Sequence, residues 1–525
     1  MATTSPTKAS CRPRAPRALF SPRSLGLSAL SGLLLVASFP HGDLGWLAWV
    51  ALVPFLLTFP HVNSRAALAH GAVLGLVFFG GLMYWIGLFA AHAVGPILGS
   101  VAWLGSVLAL APWYVAFAWG ACWLQRRGPG TWFWGLPALW AVLEWGRQFG
   151  ILGTTWGDLA FTQHHALLLL QVTKVTGPWG LSFLIVLVNI ALAELCRARG
   201  RIPPQNRAHT TAALALLVLA AACGARALRH EHMQPAFVAA ALQGNINQNV
   251  QDTPAYEQRV LDTFAAQSRL AAAKGATLTV WPETAVPGYL RLDPRFGLPI
   301  AQSAVLNRQT ALVGARDYLP AQKKDTNTLF LVTPQGAISG EYSKRHLVPF
   351  GEYVPLRATF PVLEKLHLSI YDMAQGGAHQ RLLDAGPGIG KLGAAICYDS
   401  TYSGLLRAQV SRGANLLVVT TDDTWFGRTA AANQHAAMAS LDAAATDRYL
   451  VRCAATGISQ ILDPTGRVLA SSQLFVPAVV AAPVQSRHTR TFYVAHGDWF
   501  VLLSALVLAG LLLPLPRRPQ ATPLS

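Results

Sequence analysis

The stretch LGAAICYDS (392–400) is an apolar run that ends abruptly in polar residues, with Cys397 at the boundary. Such a run predicts a buried strand that leaves its sheet at the cysteine. An isolated cysteine in a strand is usually a small buried hydrophobe. Strand ends of α/β domains, however, are where reactive groups reach a cleft, and the N-terminus of a helix predicted at 403–412 would favour a thiolate. The residues alone therefore leave two interpretations of Cys397, core filler or nucleophile.

The segment around this strand alternates strands with helices. Apolar, β-rich runs predict strands at 237–246, 276–284, 311–319, 327–334, 392–399, 415–423 and 448–456. Helical patterns at 253–274, 403–412 and 429–447 lie between them, and Pro464-Thr465-Gly466 predicts a hairpin turn. This alternation predicts an α/β domain over about 235–490, with helices outside a pair of mixed sheets.

The rest of the chain has the composition of a membrane protein. Of the 525 residues, 52% are hydrophobic and only 12% are charged, against about 25% charged in soluble domains. Apolar stretches predict about eight spanning helices, at 24–39, 44–59, 67–94, 96–124, 131–150, 177–196, 209–228 and 499–516. The domains are then a basic tail (1–23), a bundle of seven spans (24–228), the α/β domain (235–490) and a C-terminal span (499–516).

The net charge of +17 follows the membrane topology. Basic residues concentrate in the tail, in alternate loops and at the C-terminus, although Arg226 and Arg229 depart from this pattern. Their distribution predicts that both ends are cytoplasmic and that 229–498 is outside. No interleaving of basic and aromatic residues is present, so a nucleic-acid partner is not expected. The six cysteines show no metal-binding spacing, and we expect no metal or other cofactor.

A nucleophilic thiol at Cys397 needs a base and a group that stabilises an oxyanion. No histidine is an obvious base, although His346 and His435 are candidates, and Glu283 in TVWPETAVPG (279–288) ends a buried strand. A carboxylate in such a place can act as base if burial raises its pKa, although local capping is the commoner role. The segment KRHLVPFGEYVP (344–355) offers Lys344 and Glu352, and an isolated lysine of this kind would more commonly lie in solvent.

The order of these motifs resembles a known family. WPET (281–284), YSKRHLVPFGEYVP (342–355) and AICYD (395–399) are similar to the Glu–Lys–Cys motifs of the nitrilase superfamily. A domain of this kind between seven spans and one span resembles the apolipoprotein N-acyltransferase family. Further similar stretches are LQGNINQ (242–248), NTLF (327–330), DDTWFG (422–427), NQH (433–435), EWGR (144–147) and YVAHGDW (493–499).

The resemblance implies an α-β-β-α sandwich domain and assigns roles to single residues. Glu283 would be the general base, Lys344 the stabiliser of the tetrahedral intermediate and Cys397 the nucleophile. Supporting positions are Glu352, Tyr398 (whose N–H would complete the oxyanion site) and Asp399. Candidates for substrate binding are Trp425, Phe426, Glu144 and Arg147, although Glu144 and Arg147 could instead form a structural pair at the membrane interface.

The implied reaction is acyl transfer from a phospholipid, through a thioester on the cysteine, to the N-terminal S-diacylglyceryl-cysteine of a lipoprotein. The expected location is the bacterial cytoplasmic (inner) membrane, with the catalytic domain on the periplasmic side. Asp399 stands where the family usually has Glu, and TTDDTWFG (420–427) also departs from its pattern. Two alternatives are a membrane-tethered nitrilase or amidase that hydrolyses its substrate, and a non-catalytic lipid-binding membrane protein.

Overall fold

The computed structural model describes residues 22–59, 62–199, 204–229, 234, 236–246, 253–357, 359 and 371–512. Most of the predicted tail (1–21) and the end of the last predicted span (513–516) lie outside these residues.

Helices make up the first part of the described chain. They are α1 (Pro22–Ser38), α2 (Val53–Thr58), α3 (Ser64–Leu82), α4 (Tyr84–Val94), α5 (Pro96–Gln125), α6 (Pro129–Arg147), α7 (Leu167–Leu170), α8 (Thr173–Thr176), α9 (Pro178–Arg197) and α10 (Pro204–Arg229). Among the described residues, four helices are long and apolar enough to cross a membrane: α3, α5, α9 and the 206–229 part of α10. The other predicted spans correspond to shorter or less apolar helices, so eight remains a predicted number.

The predicted span 67–94 is interrupted in the structure. Helix α3 ends at Leu82, and α4 begins at Tyr84 after the single residue Met83. Gly80 and Gly81 immediately precede the break, and paired small residues are a common cause of helix kinks. Helix α4 is therefore a separate helix. It contacts the α/β domain, where the ring of Trp425 lies 5.8 Å from the ring of Phe89.

The α/β domain contains two sheets. Its strands are β1 (Phe237–Gln243), β2 (Ala276–Val280), β3 (Val286–Tyr289), β4 (Thr310–Leu319), β5 (Lys324–Val332), β6 (Ile338–Ser343), β7 (Leu383–Asp384), β8 (Lys391–Ile396), β9 (Leu416–Thr421), β10 (Leu450–Ala454), β11 (Gln460–Leu462), β12 (Val468–Ser471) and β13 (Ala478–Val484). The first sheet has the order β13-β1-β2-β4-β5-β6, with β3 paired to β4, and the second has the order β12-β11-β10-β9-β8-β7. Strands β1, β2 and β4 are parallel, as are β8, β9 and β10.

The sheets bury one apolar cluster that contains residues of both, among them Leu278 and Leu312 of the first sheet and Leu392 and Val418 of the second. The helices of this part are α11 (Pro254–Ala273), α12 (Pro294–Asn307), α13 (Ser403–Ser411), α14 (Ala430–Thr446), α15 (Phe492–His496) and α16 (Trp499–Leu512). Apolar residues of α11 and α12 join a cluster with the first sheet, and those of α13 and α14 join one with the second. Strand β8 therefore lies between two apolar clusters, which explains its continuous apolar run.

The segment that joins α6 to α9 holds the α/β domain against the helices. The hydroxyls of Tyr398 and Tyr402 both donate to the Gly153 carbonyl, at 2.9 and 2.7 Å. Trp156 Nε1 donates to Gln434 Oε1 at 2.7 Å, and Thr155 Oγ1 donates to the Thr401 carbonyl at 2.6 Å. The turn that contains Cys397 is thus attached directly to the helical part.

Candidate active site

Three of the predicted site residues follow the ends of strands. Cys397 comes directly after β8 and Lys344 directly after β6, and Glu283 lies three residues beyond β2. Strands β2 and β8 each belong to the parallel part of their sheet. Their carboxyl ends are where α/β domains assemble sites, so the topology presents these groups together.

Lys344 is the centre of the site. Its ammonium lies 3.0 Å from Glu283 Oε1 and 2.8 Å from Glu352 Oε1, and the lysine side chain is 1% exposed. Burial alone would lower the pKa of Lys344, but the two carboxylates raise it well above its usual range. Lys344 therefore stays charged, and it is a buried cation rather than a surface lysine.

The second carboxylate, that of Glu352, is fixed by backbone as well as by charge. Its Oε2 accepts a hydrogen bond from the Val348 N–H at 2.8 Å. Burial raises the pKa of Glu352, and Lys344 offsets part of this effect. Glu352 is thus a second, fixed carboxylate partner of the lysine.

Glu283 is held by several donors. Besides Lys344, Asn327 Nδ2 donates to its Oε1 at 2.6 Å, and the Asp422 N–H donates to its Oε2 at 2.6 Å. The carboxylate is therefore fixed in position before a substrate arrives. Neither Asn327 nor Asp422 was predicted as a site residue, although both lie within motifs, NTLF and DDTWFG, that carried the family resemblance.

Cys397 has a strained backbone. Its φ is +50°, a left-handed conformation that costs a residue with a side chain about 1–3 kcal/mol and persists only where other contacts impose it. Its carbonyl accepts a hydrogen bond from Ser400 Oγ at 2.8 Å and lies 3.2 Å from His435 Nε2. This conformation lies at the point where β8 ends and a short helical turn, Cys397–Thr401, begins.

The surroundings of Cys397 favour the thiol. Burial raises its pKa well above the usual range, the Glu283 carboxylate raises it further, and Lys344 only partly opposes this. The thiolate preference expected from the nearby α13 is therefore outweighed by burial. Burial therefore favours the protonated form of this cysteine.

A network of buried hydrogen bonds and ion pairs contacts the turn that contains Cys397. His435 lies 2.9 Å from Ser400 Oγ through Nε2 and 3.1 Å from Asp423 Oδ1 through Nδ1. Arg452 Nη2 donates to Asp423 Oδ2 at 2.8 Å. Although burial opposes it, Arg452 and His435 lower the pKa of Asp423 to about 2. His435, considered above as a possible base, contacts the backbone carbonyl of Cys397 instead.

Asp399 connects the cysteine turn to the lysine segment. Its carboxylate is fully buried and accepts hydrogen bonds from the His346 N–H (2.6 Å), the Arg345 N–H (3.2 Å) and the Tyr342 hydroxyl (3.0 Å). The two amides belong to the residues that directly follow Lys344. Asp399 thus fixes the position of Cys397 relative to Lys344 through the backbone of Arg345 and His346.

The predicted substrate-binding residues fall into two groups. Trp425 and Phe426 are half-buried at the joint with the helices, where Phe426 lies 5.0 Å from the Trp85 ring. Glu144 and Arg147 are buried in α6 instead. Arg147 pairs with Asp158, and Glu144 Oε1 accepts from the Leu159 N–H at 2.8 Å. These contacts fasten α6 to the segment that follows it.

Comparison with known proteins identifies both parts of the chain. Residues 31–191 match the family model described as the apolipoprotein N-acyltransferase N-terminal domain, and residues 238–493 match that of carbon-nitrogen hydrolase. An apolipoprotein N-acyltransferase from Geobacter metallireducens is 36% identical over 505 residues, covering 92% of this chain and 94% of that protein. One from Gloeobacter violaceus is 32% identical, with 92% of each covered.

Among solved structures, Saccharomyces cerevisiae Nit3, a member of the nitrilase superfamily, is 17% identical. The alignment covers 51% of this chain and 97% of Nit3, with a TM-score of 0.39, which is too low to support a conclusion about function. The sequence relatives, by contrast, match across both the helical part and the α/β domain. This chain therefore belongs to the apolipoprotein N-acyltransferase family, whose members are acyltransferases of lipoprotein biosynthesis.

Proposed function

We propose that the reaction begins with transfer of a phospholipid acyl chain to Cys397. Glu283 accepts the thiol proton while Sγ attacks the ester carbonyl carbon. Lys344 and the N–H of Tyr398 stabilise the oxyanion. The carbon–oxygen bond then breaks, Glu283 returns the proton to the departing alcohol oxygen, and a lysophospholipid leaves a thioester behind.

The second half of the reaction transfers the chain to a lipoprotein. The α-amino group of an N-terminal S-diacylglyceryl-cysteine attacks the thioester carbonyl, and the carbon–sulfur bond breaks. The amine loses a proton through Glu283, and the sulfur regains one. The products are an amide on the lipoprotein and the free thiol of Cys397.

The observation that carries this proposal is a buried cation, Lys344, in contact with two carboxylates and close to the cysteine that follows β8. A protonated thiol is unreactive until Glu283 removes its proton, which protects the cysteine between turnovers. Trp425 and Phe426, half-buried at the joint with the helices, support a proposed surface for the acyl chains. The assignment of Glu144 and Arg147 to substrate contacts remains a prediction, and their burial favours the structural role.

We propose that the membrane topology places the α/β domain beside its substrates. About eight spans place both chain ends in the cytoplasm, and the domain at 235–490 forms an α-β-β-α sandwich on the periplasmic side of the inner membrane. Two apolar substrates anchored in the outer leaflet of that membrane require such a position. The proposed domain organisation also includes the bundle (24–228), the C-terminal span (499–516) and the tail (1–23). We propose that the reaction uses no cofactor.

The test is a transfer assay with purified protein, phospholipid and a diacylated lipoprotein. Mass spectrometry should show one added acyl chain on the lipoprotein N-terminus with the wild type and with Cys453→Ala, a matched control at the other cysteine of the α/β domain. Cys397→Ala should give none. Release of free fatty acid without transfer would support the hydrolase alternative. Absence of both transfer and thiol labelling would support the lipid-binding alternative.

A further inference from the structure

A second cluster of reactive side chains lies in the helical part, apart from the catalytic residues. Asp43, in the turn after α1, meets His164 and His165 from the segment between α6 and α7. One ligand atom from each side chain falls within 4.8 Å of the others. His164 is buried, whereas Asp43 and His165 are open to solvent, with side chains 44% and 71% exposed.

The distances in this cluster are typical of ligands around one ion. His164 Nε2 lies 3.4 Å from Asp43 Oδ1, and His165 Nε2 lies 3.3 Å from Asp43 Oδ2. Charge-assisted hydrogen bonds are shorter, about 2.7–2.9 Å. Metal–ligand bonds of about 2.0–2.2 Å in a tetrahedron place neighbouring ligand atoms about 3.3–3.5 Å apart. The observed separations are longer than charge-assisted hydrogen bonds and fall in the range expected for neighbouring ligands of one ion.

The two segments are held together independently of the cluster. Gln163, next to the histidines, accepts a hydrogen bond from Trp49 Nε1 at 2.9 Å and donates one to the Gly45 carbonyl at 2.8 Å. The backbones approach so closely that a Cβ at Gly45 would lie 2.2 Å from the Thr162 carbonyl oxygen. Because packing already fixes both segments, little conformational entropy would be lost when an ion binds.

We propose that Asp43, His164 and His165 form a binding site for a divalent transition metal ion, with Zn²⁺ as the first candidate. Two imidazoles and one carboxylate suit zinc, whereas Mg²⁺ and Ca²⁺ prefer ligand sets made of oxygen. Solvent supplies the fourth ligand on the exposed side. Sequence spacing could not reveal this site, because Asp43 is far from the histidines along the chain.

The role of this ion is structural. It ties the turn after α1 to the segment between α6 and α9, which also bears Gly153 and Thr155, the contacts of the Cys397 turn. A bound ion adds a cross-link between two segments that packing already holds together, and it contributes no group to the chemistry. The site is independent of the proposed acyl transfer.

The test measures Zn²⁺ binding to the full-length protein in detergent, purified with a histidine-free tag and stripped with a chelator. We expect one Zn²⁺ per chain and a higher Tm with Zn²⁺, both for the wild type and for His379→Gln, a control at an exposed histidine. His164→Gln and His165→Gln should bind at least tenfold more weakly and lose the Tm increase. Because His165 is largely exposed, its variant tests the site even if His164→Gln fails to fold.

A spectroscopic probe identifies the ligands directly. With one equivalent of Cu²⁺, the electron paramagnetic resonance spectrum should show imidazole nitrogen coupling in the wild type, and the spectrum of His165→Gln should lose part of it. The proposal is overturned if the wild type takes up no Zn²⁺, or if His164→Gln and His165→Gln bind Zn²⁺ as tightly as the wild type.

Discussion

Replacing Asp399 by Asn tests how the site maintains its geometry. The carboxylate accepts hydrogen bonds from the amides of Arg345 and His346 and from the Tyr342 hydroxyl. An asparagine has one accepting oxygen and a donating NH₂ group. At least one of these donors would therefore point at the NH₂ group and lose its hydrogen bond.

The expected losses of stability and rate in Asp399→Asn follow from these hydrogen bonds. A hydrogen bond to a charged group contributes about 1.5–3 kcal/mol, and a buried donor left unsatisfied costs about 1–3 kcal/mol. We expect a loss of about 3 kcal/mol in stability. Because Arg345 follows Lys344, the lysine segment should also shift relative to Cys397. A displacement of about 1 Å lowers the rate of such a reaction about 100-fold.

The assay compares kcat and KM for acyl transfer, together with Tm, in Asp399→Asn and Asp399→Glu. We expect kcat to fall about 100-fold in the asparagine variant while KM for phospholipid changes little, because Asp399 is fully buried. Asp399→Glu keeps the charge and should retain more activity, at the cost of crowding by one methylene. Wild-type kcat and Tm in Asp399→Asn would refute the reasoning.

Three further predictions concern buried charges. Lys344→Met removes the cation that contacts two carboxylates, and kcat should fall at least about 100-fold. Equal transfer rates in wild type and variant would contradict the role of Lys344 in stabilising the oxyanion. Arg452→Met removes the buried ion pair with Asp423. Thermal unfolding should report a loss of about 3–5 kcal/mol, which an unchanged Tm would disprove. Burial raises the pKa of Asp442 from 3.8 to about 7. The protonated carboxyl group therefore contributes fully to folding stability below about pH 4, and this contribution is lost as the pH rises through about 7. Relative to Asp442→Asn, the wild type should therefore lose about 4 kcal/mol between pH 4 and pH 8, and parallel pH–Tm curves for the two proteins would contradict this.

Sequence patterns predicted the strands that are buried on both faces. Apolar runs correctly indicated β1, β2, β4, β5, β8, β9 and β10. The edge strand β6 (ISGEYS) was missed because it has three exposed residues and no apolar run. Consequently Lys344, which follows β6, could be identified only by the family motif and not by its position in a fold.

The supporting residues of the site were beyond sequence analysis for a different reason. Glu283 meets Asn327 and the Asp422 amide only because β2, β5 and β9 come together in space. Similarly, the sequence of β10 does not indicate that the fully buried Arg452 forms an ion pair with Asp423. Alternating patterns report which face of an element is buried, but pairing between distant elements depends on the tertiary fold.

The most direct test of the central claim is to trap the acyl-enzyme. The protein is incubated with phospholipid but without a lipoprotein acceptor, digested, and analysed by mass spectrometry. We predict one acyl chain on the peptide that contains Cys397, released by neutral hydroxylamine as a thioester should be, and absent from Glu283→Gln. An acyl chain on another residue, or continued transfer to lipoprotein by Cys397→Ala, would contradict the account.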